Sequence, residues 1–259
     1  MSLFEAVILG VIQGISEFLP VSSSGHLLVF HRIFGIEAED NLTFIIVLNM
    51  GSLMPLLWVF REDVFTLIKN PFQKMAGLLV VSVMPLVLVS VLFLDFIEEM
   101  FHLLDYLWVG FIITGVILLL SDRLKDNKKT TDDLKIRDAL FCGVAQAFAV
   151  FPGISRSGAT ITAALSRGLD RENAARFSFL MSIPSAFGAI LLRLGHLLTG
   201  RVDVQDLNFA NLAAGFVTAA VVGYVSINFM LMVIKKARLR YFAIYYIFAL
   251  VVFMFLFFN

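Results

Sequence analysis

The amino-acid sequence predicts an all-α integral membrane protein built from two inverted-topology repeats, each a re-entrant helix hairpin followed by three transmembrane helices. Three observations support this fold class: an excess of apolar residues, six long apolar segments, and two broken apolar stretches that match each other. We treat residues 1–259 as a single membrane domain, with the repeats at 1–130 and 134–259.

Composition excludes the other broad classes. Hydrophobic residues make up 59% of the chain and charged residues 15%, with a mean hydropathy of +0.91. Soluble domains are about 45–50% apolar and about 25% charged, so a soluble fold could not cover this much apolar surface. The same numbers exclude a disordered chain. Twenty basic residues balance twenty acidic ones, which argues against a nucleic-acid partner. The one cysteine, Cys142, cannot form an intramolecular disulfide and reads as a small buried residue.

Six segments are apolar and close to the roughly 20 residues that cross a bilayer as a helix. They lie near 41–60, 75–94, 104–121, 172–194, 209–233 and 241–258. The last of them is rich in aromatic residues and is expected to be a lipid-facing span with interfacial tyrosines.

Two further apolar stretches, at about 3–34 and 138–168, are interrupted by Pro, Gly and Ser. Proline and glycine end a helix and serine caps the next one, so each stretch predicts two short helices joined by a loop. Neither piece is long enough to cross the bilayer comfortably, which favours re-entrant hairpins.

The two broken stretches match without gaps at an offset of 133 residues. The matched pairs are Gly10 with Gly143, Gln13 with Gln146, Phe18 with Phe151, Ser22 with Ser155, Ser24 with Ser157, and Gly25 with Gly158. Because each predicted repeat has three spans, an odd number, the second repeat must start on the opposite side of the membrane. The two loops are then expected to enter from opposite faces and meet near the midplane.

Basic residues indicate the orientation. One set of loop regions carries 16 of them and the other set carries 3, Arg32, Arg193 and Arg201. The larger set is Arg61, Lys69, Lys74, Arg123, Lys125, Lys128, Lys129, Lys135, Arg137, Arg167, Arg171, Arg176, Lys235, Lys236, Arg238 and Arg240. Cytoplasmic loops are the basic ones. Both termini and the first hairpin are therefore expected to face outward.

Few ionisable side chains lie deep in the apolar sequence, and these few predict the functional site. Glu17, His26 and Arg156 all fall in or beside the two loops, where an ionisable group in lipid is costly enough to need a reason. They could act only to hold the hairpins together, which is the alternative to a catalytic role. Gln13 lies four residues before Glu17, on the same helix face. Asn49 could line the same cavity or bond to a neighbouring helix.

Both loops resemble sites that bind anions at helix N-termini. Free backbone N–H groups and hydroxyls there favour phosphate, and the guanidinium of Arg156 suits phosphate oxygens. The alternative is helix capping alone, which accounts for one serine in each loop. The residues predicted to bind phosphate are Ser22, Ser24, Gly25, Ser155, Ser157 and Gly158.

His26 is the expected proton-transfer group or phosphoryl acceptor, because histidine titrates near neutral pH. Ser23 occupies the repeat position matched by Arg156, so it is expected to contact the reacting phosphorus. Glu17 could hold a divalent cation or orient His26, and Gln13 could add an oxygen ligand. His31 and His102 carry no such context and are interpreted as surface or interface residues.

The residues from Gln13 to His26, with Pro20-Val21-Ser22-Ser23-Ser24-Gly25-His26 at their end, resemble the first signature of the bacterial undecaprenyl-pyrophosphate phosphatases of the bacitracin-resistance type. The run Pro152-Gly153-Ile154-Ser155-Arg156-Ser157-Gly158 resembles their second signature. The resemblance covers essentially the whole chain, although many members of that family carry Glu where this chain has Gln13.

This resemblance implies hydrolysis of undecaprenyl pyrophosphate to the monophosphate and inorganic phosphate, in the bacterial plasma membrane and on its outer side. It implies Glu17, Ser23, His26 and Arg156 as the catalytic set. It also implies a divalent cation, Mg²⁺ or Ca²⁺, a polyprenyl pyrophosphate substrate among the membrane lipids, and a homodimer.

Two rival functions stay open on the sequence alone. Inverted repeats with broken helices are also the plan of transporters, so an anion transporter or lipid scramblase is the alternative. A second class of membrane phosphatase shares a Ser-Gly-His element like Ser24-Gly25-His26, but the Lys-x6-Arg-Pro motif of that class is missing here and Arg156 lacks the His and Asp that should follow it.

Overall fold

The computed structural model describes residues 1–36, 42–102, 106–124, 127–198, 208–236 and 239–258. Within these ranges the chain is helical, with one short 3₁₀ turn at Thr131–Asp133. The helices are α1 (Leu3–Ser16), α2 (Ser23–Phe34), α3 (Leu42–Val59), α4 (Arg61–Lys69), α5 (Lys74–Leu92), α6 (Leu94–His102), α7 (Leu107–Ser121), α8 (Ile136–Phe148), α9 (Arg156–Ser166), α10 (Arg171–Leu198), α11 (Phe209–Lys236) and α12 (Arg240–Phe258). The predicted all-α class is confirmed, and the apolar helices are compatible with a membrane protein.

Among the described residues, three helices are long and apolar enough to cross a bilayer, namely α5, α10 and α11. The predicted span at 41–60 differs from this pattern, because α3 turns by 82° into α4. The turn falls where Arg61, Glu62 and Asp63 follow the apolar run, since a charged segment cannot continue through lipid. Helices α7 and α12 match the predicted spans at 104–121 and 241–258 but have shorter apolar segments, Leu107–Ser121 and Arg240–Leu256.

Each broken stretch consists of two helices separated by a short loop. In the first stretch α1 ends at Ser16 and α2 begins at Ser23, with Pro20 between them. In the second stretch α8 and α9 are separated by Pro152 and Gly153, and Gly153 has a φ of +84°. Neither α2, α8 nor α9 is among the helices long and apolar enough to span.

Contacts between the two halves follow the same offset as the sequence match. Helix α1 packs against α11, and α8 packs against α5. A Cβ added at Gly10 would lie 2.8 Å from the carbonyl oxygen of Gly215, and a Cβ at Gly143 would lie 2.3 Å from that of Ser82. Ser82 and Gly215 are themselves 133 residues apart. Each hairpin therefore packs on the other half through equivalent positions, and glycine permits the close approach.

Helix α12, the expected lipid-facing last span, has one exposed face and one buried face. Its exposed face is apolar, with Ile247 and Phe248 63% and 66% exposed. Its opposite face is buried against α7, where Tyr246 and Phe253 pack on Phe111. This face brings the end of the chain to the first hairpin.

The link between the halves is tied to the mouth of the second hairpin. Asp138, in the first turn of α8, accepts hydrogen bonds from Lys129 Nζ at 2.6 Å and Arg167 Nε at 2.8 Å. Asp138 is buried, whereas both cations are partly exposed. Lys129 also pairs with Leu169 through a single β-bridge. These contacts join the linker, the start of α8 and the end of α9.

Three residues outside the predicted site, Cys142, His31 and His102, were also interpreted from the sequence. Cys142 is buried, as predicted. His31 is 3% exposed, so of its two expected positions, surface or interface, the surface position is wrong. Helix α2 ends just after it, where Gly35 adopts a left-handed conformation and the N–H of Ile36 donates to the carbonyl of His31. The side chain of His102 lies outside the described residues, as do Lys125, Arg201 and Arg238 from the charge count.

Candidate active site

Glu17 is the centre of the polar contacts between the two hairpins. It lies at the C-terminal end of α1, and its carboxylate accepts hydrogen bonds from Ser23 Oγ at 2.7 Å and from Arg156 Nη2. Arg156 is the first residue of α9, so the ion pair joins the first broken stretch to the second. The exposed fractions of the Glu17 and Arg156 side chains are 14% and 27%. Three of the four predicted catalytic residues therefore meet at one carboxylate.

Gln13 extends this cluster along α1. Its Nε2 atom lies 3.3 Å from Glu17 Oε2, 3.2 Å from Asn49 Oδ1 and 3.1 Å from Ser52 Oγ. Its Oε1 atom is buried without a hydrogen-bond partner. Asn49, on α3, thus accepts a hydrogen bond from a neighbouring helix, which was the second of its two expected roles.

A divalent cation is compatible with these residues. Mg²⁺ in proteins is commonly held by one or two carboxylates together with substrate phosphates. Glu17 supplies one carboxylate, and the unpaired Oε1 of Gln13 is an oxygen ligand of the right kind beside it. The described residues contain no group of three or more His, Cys, Asp and Glu side chains that could hold a metal by themselves. A cation here would therefore need oxygen ligands from the substrate.

The first loop is tight and unusual in its backbone. Ser22 caps α2 by accepting a hydrogen bond from the N–H of Gly25, and its φ of +67° is one that residues other than glycine rarely adopt. Ser24 Oγ lies 3.4 Å from Ser22 Oγ. Such strained residues cluster at functional sites. The hydroxyl of Ser22 is thus used for capping, and its backbone conformation orients the start of α2.

The second loop repeats the cap. Ser155 accepts a hydrogen bond from the N–H of Gly158 at 3.2 Å, and its own N–H donates to Thr114 Oγ1 at 3.0 Å. Ser157 Oγ lies 3.2 Å from Ser155 Oγ and donates to the carbonyl of Leu19 at 3.1 Å. Ser155 and Ser157 are both buried. Capping accounts for Ser22 and Ser155, while Ser157 links one loop to the other.

The loops are in close contact. A Cβ at Gly25 would lie 2.5 Å from the ring of Phe111 and 3.2 Å from the Cα of Gly153. Glycine at position 25 is therefore required for α2 to pack against α7 and against the second loop. This packing places two helix N-termini, those of α2 and α9, beside the Glu17–Arg156 pair.

His26 has a separate set of partners. Its Nδ1 atom lies 2.7 Å from the carbonyl oxygen of Ser22, and its Nε2 atom lies 2.5 Å from the hydroxyl of Tyr245. The imidazole packs between Phe111 and Tyr245, with both ring centroids 5.7 Å away. The sequence reasoning missed Tyr245, because a tyrosine in an aromatic-rich span looks like an interfacial residue.

A small pocket borders the ion pair. Its lining is Glu17, Phe18, Arg156, Ser157, Thr160, Ser178, Phe179 and Ser182. The hydroxyls of Thr160 and Ser178 are hydrogen-bonded to each other. Ser178 and Ser182 lie on α10 and were not among the predicted site residues, because serines within an apolar span commonly bond back to the helix.

Taken together, the site offers the Arg156 guanidinium, hydroxyls and two helix N-termini to an anion beside the Glu17 carboxylate, with the His26 imidazole on the first turn of α2. Such a set suits binding and cleavage of a phosphate ester or anhydride, since it can neutralise developing charge and transfer protons.

Comparison with known proteins agrees with this chemistry. The family described as bacitracin resistance protein BacA matches residues 6–252. A protein named undecaprenyl-diphosphatase from Carboxydothermus hydrogenoformans is 42% identical over 245 residues, which cover 95% of this chain and 94% of the relative. Undecaprenyl-diphosphatase 4 from Bacillus thuringiensis is 40% identical over 95% of this chain and 93% of its own. Undecaprenyl-diphosphatase from Halothermothrix orenii is 38% identical over 95% and 94%. The chain belongs to the bacitracin resistance protein BacA family.

Proposed function

We propose that this protein hydrolyses undecaprenyl pyrophosphate to undecaprenyl phosphate and inorganic phosphate in the bacterial plasma membrane. The relatives are named for this activity, and this chain matches them over nearly their whole length. The reaction recycles the lipid carrier used in cell-wall synthesis, and it removes the pyrophosphate that bacitracin binds, which gives resistance.

The observation that carries the proposal is the cluster of Arg156, Glu17 and Ser23. A guanidinium and a hydroxyl from two different loops share one carboxylate, and both loops end in helix N-termini. A pyrophosphate that binds there receives positive charge from Arg156 and N–H donors from the helices. The prenyl chain then extends from the site between the apolar helices into the bilayer.

Cleavage breaks the bond between the terminal phosphorus and the bridging oxygen, and undecaprenyl phosphate leaves. Arg156 and the loop N–H groups stabilise the negative charge that develops on the phosphoryl oxygens, which supplies most of the rate gain. The attacking group is water activated by His26, or His26 or Ser23 directly. If a side chain attacks, the phosphoryl group is first bonded to it, and water then hydrolyses that bond to release inorganic phosphate. Ser23 Oγ donates a hydrogen bond to Glu17, which supports a role for this carboxylate in orienting the hydroxyl. The lone pairs of Ser23 Oγ are then directed away from Glu17.

A divalent cation, Mg²⁺ or Ca²⁺, is part of the proposal. When bound, it supplies charge that neutralises the pyrophosphate oxygens. The carboxylate of Glu17 and the unpaired Oε1 of Gln13 are the residues that would hold it. Arg156 shares the same carboxylate, so the ion pair and the cation are expected to compete for Glu17 until substrate provides further oxygens.

The proposed arrangement in the membrane is two inverted repeats with the active site open to the outer side. Equivalent hydrogen bonds in the two halves support the repeats. Gln13 bonds to Ser52 in the first half, and Gln146 bonds to Ser185 in the second, where each residue lies 133 positions after its counterpart. The basic asymmetry of the loops supports the orientation. The homodimer implied by the resemblance stays a prediction, which the mass of the purified protein in detergent tests.

Phosphate release by the purified protein tests the proposal. With undecaprenyl pyrophosphate and Mg²⁺ or Ca²⁺ present, we expect phosphate to be released, and a chelator should stop it. No release from any prenyl pyrophosphate, with cation supplied, would instead favour the transporter or scramblase.

A further inference from the structure

We infer that Tyr245 is a positioning residue for His26: its hydroxyl holds the Nε2 atom of the imidazole, so that the ring stays oriented with Nε2 as its unprotonated nitrogen. The inference rests on the proposed function for its catalytic consequence. The orientation of the ring can be measured without it.

The two hydrogen bonds of His26 assign its tautomer. A carbonyl oxygen only accepts, so the contact of 2.7 Å between Nδ1 and the carbonyl of Ser22 requires the proton on Nδ1. In a neutral imidazole the lone pair is then on Nε2. The Tyr245 hydroxyl, 2.5 Å from Nε2, therefore donates and Nε2 accepts. Nε2 is the nitrogen that takes a proton or attacks phosphorus, and its single lone pair cannot do so while it accepts from Tyr245. The Tyr245 hydroxyl therefore orients the ring before the reaction and releases Nε2 when the lone pair is used.

The surroundings of the ring make Tyr245 the second anchor. Phe111 packs on the His26 imidazole from α7. The Tyr245 ring is nearly parallel to the imidazole, with an interplanar angle of 21° between the two rings. Phe111 has no hydrogen-bonding atom in its side chain, so it limits the tilt of the ring but cannot fix its rotation. Among the described contacts, the hydroxyl of Tyr245 and the carbonyl of Ser22 are what set the rotation.

The fold positions Tyr245 over a long sequence distance. His26 is in the hairpin of the first half and Tyr245 is 219 residues later, in the last helix. Helix α12 packs on α7 through Tyr246 and Phe253, which both contact Phe111. The same Phe111 touches Gly25, where any side chain would clash. One aromatic residue thus aligns α2 and α12, and the His26–Tyr245 bond follows from that alignment.

The test compares Tyr245→Phe with wild type, and uses Tyr241→Phe as the matched control. Tyr241 lies one turn earlier on α12, its ring lies beside Arg240, and it is 56% exposed. Loss of one hydrogen bond of this kind is expected to lower kcat about three- to tenfold in Tyr245→Phe, with KM within about twofold of wild type. Tyr241→Phe should retain both constants.

A spectroscopic measurement separates positioning from general stability. In protein labelled with ¹⁵N-histidine, the signals of His26 are those lost in His26→Gln. We expect wild type to have the proton on Nδ1 and a hydrogen-bonded Nε2, and Tyr245→Phe to shift the Nε2 signal while Tyr241→Phe leaves it in place.

Each outcome decides the inference. Unchanged His26 signals in Tyr245→Phe would overturn it, as would a proton on Nε2 in wild type, a result that needs no variant to fold. If the signals change but kcat does not, Tyr245 holds the ring without serving catalysis, and the inference fails. If wild type releases no phosphate, the proposed function fails, and the ¹⁵N spectra still test the orientation.

Discussion

Arg156 and Glu17 form an ion pair between residues 139 positions apart in the chain, one at the start of α9 and the other at the end of α1. The pair joins the loops of the two hairpins and is reinforced by Ser157, whose hydroxyl donates to the carbonyl of Leu19. A site shared between the halves follows from this contact, because neither loop has both the carboxylate and the guanidinium.

Replacement of Arg156 by Ala is expected to lower phosphate release by at least about 100-fold, since the variant loses the cation that stabilises the transferring phosphoryl group. Arg156→Lys keeps the charge but not the planar fork, so an intermediate rate is expected. Steady-state phosphate release measures both, with thermal unfolding in detergent to confirm folding. A folded Arg156→Ala protein with the wild-type rate would refute this role.

Replacement of Ser23 by Ala is also expected to lower turnover, by at least about 10⁴-fold if Ser23 attacks phosphorus and by about tenfold if its only role is the hydrogen bond to Glu17. The control is Ser16→Ala, whose hydroxyl bonds back to the carbonyl of Ile12 within α1 and should leave the rate unchanged. Equal rates for Ser23→Ala and wild type would show that Ser23 has no role in turnover.

Gly143→Ala tests the packing between the halves. The added Cβ would lie 2.3 Å from the carbonyl oxygen of Ser82, a backbone atom that can move only with its helix. We expect a loss of about 1–3 kcal/mol in the free energy of unfolding and a melting temperature lower by roughly 2–10 °C.

The control for this packing test is Gly77→Ala, on the same α5 helix as Ser82, where an added Cβ meets nothing within 4 Å. Both variants gain the same helix propensity, so their difference isolates the contact. If the two variants melt together, the close approach of α8 to α5 is not as described.

The lowered pKa of Asp138 leads us to expect that the protein loses stability in acid. Burial by itself would raise the pKa of Asp138, but hydrogen bonds from Lys129 and Arg167 and from the backbone N–H of Lys135 outweigh it and lower the pKa to about 2, from 3.8. The carboxylate therefore contributes stability at neutral pH. That contribution, about 2 kcal/mol, is lost as the pH falls from about 4 through 2.

Thermal unfolding in detergent between pH 6 and pH 2 checks the role of Asp138 by comparison with Asp138→Asn. The variant should be less stable at neutral pH and should lack this part of the acid dependence. Parallel pH curves for the two proteins would show that the loss in acid comes from other groups.

Much of the site could be predicted because lipid makes polar residues conspicuous. Glu17 and Arg156 stood out as rare ionisable groups in apolar sequence, and the repeat match related Ser23 to Arg156. The positions of the helix breaks followed from Pro20, Pro152 and Gly153, which act locally.

Other features depend on contacts that no local pattern encodes. Tyr245 reaches His26 because α12 packs on α7, while its sequence context is that of an interfacial residue. The burial of His31 is a second such feature, because nothing in the residues around it distinguishes a buried histidine from an exposed one. The sharp turn between α3 and α4 falls where the apolar run meets the charged residues Arg61–Asp63. A hydropathy pattern shows where the apolar run ends, but it does not give the angle between the two helices.

Release of inorganic phosphate from undecaprenyl pyrophosphate by the purified protein is the decisive measurement. We expect release with Mg²⁺ or Ca²⁺, little release after chelation, and at least about 100-fold slower release by Arg156→Ala. A wild-type protein that is folded and supplied with cation, yet releases no phosphate from any prenyl pyrophosphate, would contradict the proposed function.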